Sequence, residues 1–160
     1  MEKDIILRIL QAVTDPEIPV LTLQDLGVIR EVNIGTGGAV EVVITPTYTG
    51  CPAMDLMMVN IKSALQEQGY EKVTVRQILH PAWTTDWLSE EGKKKLKAYG
   101  IAPPAGPAGK HAILTEDTKV ECPQCGSRNT KMVSQFGSTA CKALFQCRDC
   151  LEPFDYFKCH

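Results

Sequence analysis

Two closely spaced cysteine pairs are the strongest chemical signal in the sequence. They are Cys122-Pro-Gln-Cys125 and Cys147-Arg-Asp-Cys150, two C-x-x-C pairs with 21 residues between them. Such pairs can present four thiolates to Zn²⁺ as a tetrahedron, and the intervening length leaves room for a hairpin. A redox C-x-x-C or an iron-sulfur site would use the same residues. We expect a structural zinc ribbon, because a closed four-thiolate zinc site has no open position for catalysis.

The small size of this cysteine-rich segment is a second reason to expect a metal. Residues 119–160 form a module of roughly 40 residues, which seldom bury enough apolar surface to fold alone. Zinc binding to unfolded thiolates can contribute on the order of 10 kcal/mol to folding. Cys141, Cys159 and His160 exceed what one tetrahedral ion uses. Cys141 is either a further ligand or a small buried side chain, and Cys159 is either a ligand or a frayed terminal residue.

Cys51 is the one cysteine before this segment, and it lies in the stretch Thr49-Gly50-Cys51-Pro52. Pro52 suits the first position of a helix, which would place Cys51 at the N-cap. There the unpaired amides and the helix dipole would favour a thiolate, the form that binds metal or attacks an electrophile. The alternative is a cysteine that is merely well packed in a turn.

Few other side chains are candidates to support Cys51. Asp15 and Glu17 belong to a proline-stiffened acidic turn, where their carboxylates either act as ligands or cap the backbone and face solvent. His80, at the end of a predicted strand, could approach Cys51 as a base or simply end that strand. Thr49 is a further supporting candidate because it adjoins the Cys51 turn.

The elements around Cys51 predict an α+β fold with helices packed on a small mixed sheet. Apolar residues from Ile5 to Val13 follow a helical period and stop before Asp15-Pro16. Strands over 28–34 and 40–45 flank Gly35-Thr-Gly-Gly38, the composition of a hairpin turn. A helix from Pro52 to Gly69 and a strand over 73–79 follow, and Ser89 then opens a short helix that stops at Gly100.

Composition bounds the organisation and the classes of function. The 160 residues carry 17 basic and 19 acidic side chains, and residues 119–160 carry six basic and four acidic ones, so neither nucleic acid nor a membrane surface is an expected partner. No segment has the roughly 18 apolar residues of a membrane span, and the start lacks a secretory signal. We therefore expect a cytoplasmic protein whose cysteines are not disulfides. The Pro/Gly/Ala-rich stretch suggests a linker over 101–118 between modules at 1–100 and 119–160.

Three segments together resemble a known family. They are DPEIPVLTLQDLGVIR (15–30), TPTYTGCPAM (45–54) and HPAWTTDWLSEEGKKKL (80–96). They are similar to the α+β domain of the iron-sulfur assembly factor SufT and of the eukaryotic cytosolic iron-sulfur targeting factors. With QFGSTACKALFQC (135–147) and EPFDYFKC (152–159) added, the chain resembles the PaaD family, encoded with the phenylacetyl-CoA epoxidase of phenylacetate degradation. The resemblance implies that Cys51 is the functional thiol for iron-sulfur work and that Asp15 and Glu17 are signature positions.

The resemblance also implies a function and its partners. It predicts an accessory protein, not an enzyme, that assembles or delivers an iron-sulfur cluster or iron to the phenylacetyl-CoA monooxygenase, contacting its oxygenase or reductase subunits. No Glu-x-x-His motif on long helices and no dinucleotide fingerprint is present, so the chain is not expected to be the oxygenase or a nicotinamide reductase. The alternative is a non-catalytic structural subunit of the same complex. A homodimer is compatible with either hypothesis. The aromatic residues Phe154, Tyr156 and Phe157 are either a contact surface or the ribbon core.

Overall fold

The computed structural model describes residues 1–104, 114, 115 and 117–158. These divide into two compact units, Met1–Trp83 and Thr84–His160. The first unit contains α1 (Glu2–Leu10), β1 (Ile29–Ile34), β2 (Val40–Ile44), α2 (Met54–Glu67) and β3 (Val73–Gln77). The second contains α3 (Glu90–Tyr99), β4 (Ile101–Ala102), β5 (Thr130–Ser134), β6 (Lys142–Cys147) and β7 (Pro153–Phe157). The fold is α+β, as the sequence predicts.

The sheet of the first unit has the order β1-β2-β3. β1 and β2 pair antiparallel as the predicted hairpin, and Gly37 and Gly38 between them adopt φ angles of 68° and 74° that favour glycine. β2 and β3 pair parallel, so the chain must cross over between them, and α2 makes that crossover. The sheet is therefore mixed, in agreement with the prediction.

Both helices of the first unit bury one apolar face. α1 buries Ile6 and Leu10, and α2 buries Met57, Ile61 and Leu65 at a spacing of four residues. Residues 42–44 of the central strand β2 are buried on both faces, as expected where helices cover a parallel pair. α1 ends earlier than the apolar pattern predicts, because Ala12 and Val13 donate to carbonyls three residues back and tighten the chain into a turn.

The sheet of the second unit has the order β4-β7-β6-β5 and encloses an aromatic core. The Phe145 ring lies 6.0 Å from that of Phe154 and 5.5 Å from that of Tyr156, the latter in an edge-on arrangement. Phe154, Tyr156 and Phe157 are all buried. They are the core of the ribbon, so the alternative of an exposed aromatic contact surface is wrong.

The boundary between the units differs from the predicted modules. Residues 84–102 group with the ribbon because β4 pairs with β7 and α3 packs against β4. α3 begins and ends where the sequence predicts, with the Ser89 Oγ accepting from the Gly92 N–H and Gly100 at a φ angle of 93°. Most of the predicted linker, residues 105–113 and 116, lies outside the described residues.

Candidate functional site

Cys51 lies in the loop that leads from β2 to α2. The Cys51 N–H donates to the Tyr48 carbonyl oxygen at 3.3 Å, and Gly50 adopts a φ angle of 78°. A positive φ at the third of four residues is what a type II turn requires, and glycine meets it without strain. The turn folds Cys51 inward until only 8% of its surface is exposed.

The start of α2 corrects the predicted position of Cys51. The helix begins at Met54 with Ala53 as its N-cap, so Cys51 lies two residues before the cap. Pro52 and Ala53 form a turn that is closed by the Met54 N–H, which donates to the Cys51 carbonyl oxygen at 3.3 Å. One feature of the predicted arrangement is retained, since the backbone N–H of Ala53 donates to the Cys51 sulfur.

The acidic turn at Asp15 faces the same sulfur. Asp15 is buried, and its Oδ1 accepts from the N–H groups of Glu17 and Ile18 at 2.6 and 2.8 Å. These bonds hold the turn in one conformation, as Asp side chains do in Asx turns. The carboxylates of Asp15 and Glu17 both exert an electrostatic effect on Cys51. The predicted supporting pair is therefore near the thiol in space.

The balance of these contacts raises the pKa of the Cys51 thiol above its usual value. Burial is the main cause, and the negative charges of Glu17 and Asp15 add to it. The Ala53 N–H and the Tyr48 hydroxyl act in the opposite direction but do not outweigh burial. The expected preformed thiolate is thus wrong. The site holds a protonated thiol that a cation or an electrophile must deprotonate, in a setting whose carboxylates attract cations.

Tyr48 was not singled out from the sequence. Its spacing of three residues from Cys51, with Gly50 between them, is the signal that a tight turn would bring the two side chains together. Thr49 is exposed on the same turn. His80 is exposed beyond the end of β3, and the groups that act on the Cys51 sulfur within the described chain do not include it.

The second site consists of four sulfurs in the ribbon. The Sγ atoms of the two C-x-x-C pairs all lie within 4.8 Å of one another. Cys122 and Cys150 are separated by 3.7 Å between sulfurs, and Cys125 and Cys147 by 3.6 Å. A tetrahedron of sulfurs at the zinc–thiolate bond length has edges of about 3.8 Å, so the four residues fit a zinc ion.

Backbone amides converge on these sulfurs. The N–H groups of Cys150 and Asp149 donate to the Cys147 sulfur and lower its pKa to about 7. The Glu152 N–H is the largest influence on Cys150 and lowers the pKa of that thiol, but burial and the neighbouring thiols together raise it to about 12. Four thiols this close cannot all ionise without a cation between them, which is what a bound metal supplies.

The remaining cysteines lie elsewhere. Cys141 is buried outside the four-sulfur cluster, with its sulfur 3.0 Å from the Thr139 Oγ1. It matches the predicted small buried side chain rather than a further ligand. Cys159 and His160 lie outside the described residues. Among the helices that the structure describes, none has the length and apolar content for crossing a membrane.

Comparison with known proteins divides the chain in the same order. A family model described as iron-sulfur cluster assembly protein matches residues 3–76, and one described as the PaaD zinc beta ribbon domain matches residues 106–158. These matches confirm the two domain types that the sequence resembles.

Individual relatives cover either the whole chain or its first part. The chain is 49% identical to an Escherichia coli K12 protein whose provisional name makes it one subunit of 1,2-phenylacetyl-CoA epoxidase, over 94% of this chain and 89% of that protein. It is 38% identical to an Fe-S protein maturation auxiliary factor of Porphyromonas gingivalis, over 59% of this chain and 90% of the other. A Bacillus anthracis domain of unknown function shares the fold, with a TM-score of 0.56 and 23% identity over 59% of this chain and 90% of that one.

Proposed function

Because this chain belongs to the PaaD family, whose Escherichia coli relative is named for 1,2-phenylacetyl-CoA epoxidase, we propose that it is a maturation factor for that enzyme system. Its task is to assemble or deliver an iron-sulfur centre, or iron, to an oxygenase or reductase component. The iron-sulfur assembly domain in the first unit and the maturation factors among the relatives support this role.

One observation carries the proposal, and it is the environment of Cys51. A buried thiol faces two carboxylates, Asp15 and Glu17, which attract a cationic cargo and hold the proton on the sulfur until that cargo arrives. The soft sulfur suits iron in a cluster, and hard carboxylate oxygens suit a single iron ion during transfer. An arrangement of this kind favours transient binding over a permanent cofactor.

The ribbon has a structural part in this proposal. Cys122, Cys125, Cys147 and Cys150 would hold a zinc ion, whose binding free energy would stabilise the second unit. Four thiolates leave zinc no open position, so we assign the ribbon no chemistry of its own. The chain as a whole would then be an accessory protein rather than an enzyme.

The experiment replaces Cys51 by Ser in a bacterial host that lacks the native gene but retains the rest of the epoxidase system. Serine keeps the size and hydrogen bonds of the side chain and removes the soft thiolate. We expect the epoxidase components to accumulate with too little iron and labile sulfide, and growth on phenylacetate to be impaired. Cys141→Ser is the matched control, because it changes another buried thiol that lies outside both sites.

A purely structural role in the complex gives the opposite result. In that case Cys51→Ser would restore full cluster content and growth, while deletion of the whole protein would weaken assembly of the complex. The name of the Escherichia coli relative, which makes it part of the epoxidase, is the observation that favours this second candidate. Normal cluster content with Cys51→Ser would refute the maturation mechanism.

A further inference from the structure

The Tyr48 side chain contacts the functional thiol from within the same turn. The Tyr48 carbonyl accepts from the Cys51 N–H at 3.3 Å, and its hydroxyl hydrogen-bonds the Cys51 sulfur. The turn thus joins the two residues twice, once through the backbone and once through the side chains. Tyr48 is half-buried, so this hydroxyl is partly removed from competing water.

The direction of the hydrogen bond follows from the chemistry of the two groups. A phenol is a much better donor than a thiol, and a thiolate sulfur accepts hydrogen bonds but donates none. The other neighbours divide into two kinds, since the Ala53 N–H also donates to the sulfur, whereas the Asp15 and Glu17 carboxylates repel its negative form. Tyr48 is the one side chain among these four that favours the thiolate.

We propose that Tyr48 is a positioning residue, whose hydroxyl donates to the Cys51 sulfur, fixes the direction in which its lone pairs point and stabilises the thiolate that engages the cargo. This inference rests on the proposed function of Cys51. It adds a residue to that site and a reason for the turn, because Gly50 lets the tyrosine and the cysteine share one tight loop.

The test is Tyr48→Phe in the full-length, metal-loaded protein. Phenylalanine keeps the ring and the packing, and the turn is closed by backbone atoms that the change leaves in place. Tyr70→Phe is the matched control, since it removes the same hydroxyl beyond the other end of α2, a helix of 14 residues and about 21 Å. Circular dichroism of both variants verifies that the fold is retained.

The readout is the rate at which iodoacetamide alkylates Cys51, followed by peptide mapping over a series of pH values. Alkylation requires the thiolate, so the rate reports how readily the sulfur ionises. Loss of one hydrogen bond to a charged group should slow the reaction at neutral pH by about tenfold and move the profile to higher pH. Tyr70→Phe should coincide with the unmodified protein.

The outcomes separate this inference from the proposed function. A Tyr48→Phe profile identical to that of the unmodified protein would overturn the positioning role, and cluster delivery could still fail in Cys51→Ser. A shifted Tyr48→Phe profile combined with full complementation by Cys51→Ser would leave the hydrogen bond established and refute the maturation role. A shifted profile together with reduced cluster content in the same Tyr48→Phe host supports both.

Discussion

The two units hold their thiols in opposite ways. In the first unit one sulfur is buried beside two carboxylates, and its pKa is raised by burial and by their charge. In the second, four sulfurs lie within 4.8 Å of one another and accept hydrogen bonds from several backbone amides. The first arrangement resists ionisation, and the second requires a cation to compensate it.

This difference shows which thiols the fold depends on. The first unit has its own apolar core between the sheet and the buried faces of α1 and α2, to which Cys51 contributes one small side chain. The described core of the ribbon is smaller, and two of its members, Cys122 and Cys147, belong to the four-sulfur cluster. We therefore expect Cys51 to be needed for function and the ribbon cysteines for folding.

The largest effect should come from Cys147→Ala. Loss of one of four ligands should release zinc and remove a contribution on the order of 10 kcal/mol to the folding of the ribbon. We expect zinc analysis to find the variant depleted, and limited proteolysis to degrade residues 119–158 while leaving a fragment near 1–83 resistant. Cys141→Ala is the control, because it removes a buried sulfur that lies outside the cluster.

Two results would contradict the comparison between the units. Unchanged zinc content in Cys147→Ala would show that this cysteine is not a ligand. Loss of the resistant fragment 1–83 would show that the first unit depends on the ribbon for its stability. Either result can be obtained from a single purification of each variant.

Much of this architecture could be predicted because its signals are local. The Gly35-Thr-Gly-Gly38 turn, the Ser89 cap and the Gly100 stop are each determined by a few neighbouring residues, and each is found where expected. The four-sulfur cluster is likewise carried by two short spacings. Local chemistry of this kind is legible in a single sequence.

The remainder depended on tertiary contacts. The pairing of β4 with β7 joins residues that are more than 50 positions apart, so no local pattern assigns residues 84–102 to the ribbon. The Cys51 thiol was expected to be ionised because a helix start favours the thiolate, but burial and the carboxylates of a distant turn determine its pKa. Tyr48 was missed because its relation to Cys51 depends on the turn between them.

A smaller effect is expected at the residues that follow each cysteine pair in the ribbon. Gly126 adopts a φ angle of 75°, and Leu151 occupies the equivalent position with a φ of 66°. The left-handed conformation costs a non-glycine residue roughly 1–2 kcal/mol, part of which the greater chain entropy of glycine offsets. Leu151→Gly should therefore stabilise the ribbon by about 0.5–1 kcal/mol, since the side chain is 66% exposed and contributes little packing.

Gly126→Ala provides the opposite change at the matching position. It should destabilise the ribbon by about 1 kcal/mol, because nothing else about its surroundings limits a methyl group. Competition with a zinc chelator, monitored for both variants and the unmodified protein, measures the difference as a shift in chelator concentration. Equal retention of zinc in all three proteins would show that backbone conformation at these positions does not limit the site.

The smallest effect concerns the carboxylates that face Cys51. Asp15→Asn and Glu17→Gln keep the shapes of the side chains and remove their charges, and the amide oxygen of the introduced asparagine can still accept from the two backbone N–H groups. Because negative charge raises the pKa of the thiol, either change should lower that pKa and accelerate alkylation of Cys51 at neutral pH by about threefold. The gain should vanish well above the pKa, where the thiol is ionised in every variant. Glu67→Gln, at the far end of α2, is the control and should leave the rate unchanged. A slower reaction in Asp15→Asn or Glu17→Gln would mean that these carboxylates assist removal of the thiol proton, and the first unit would then activate its cysteine instead of holding it protonated until the cargo binds.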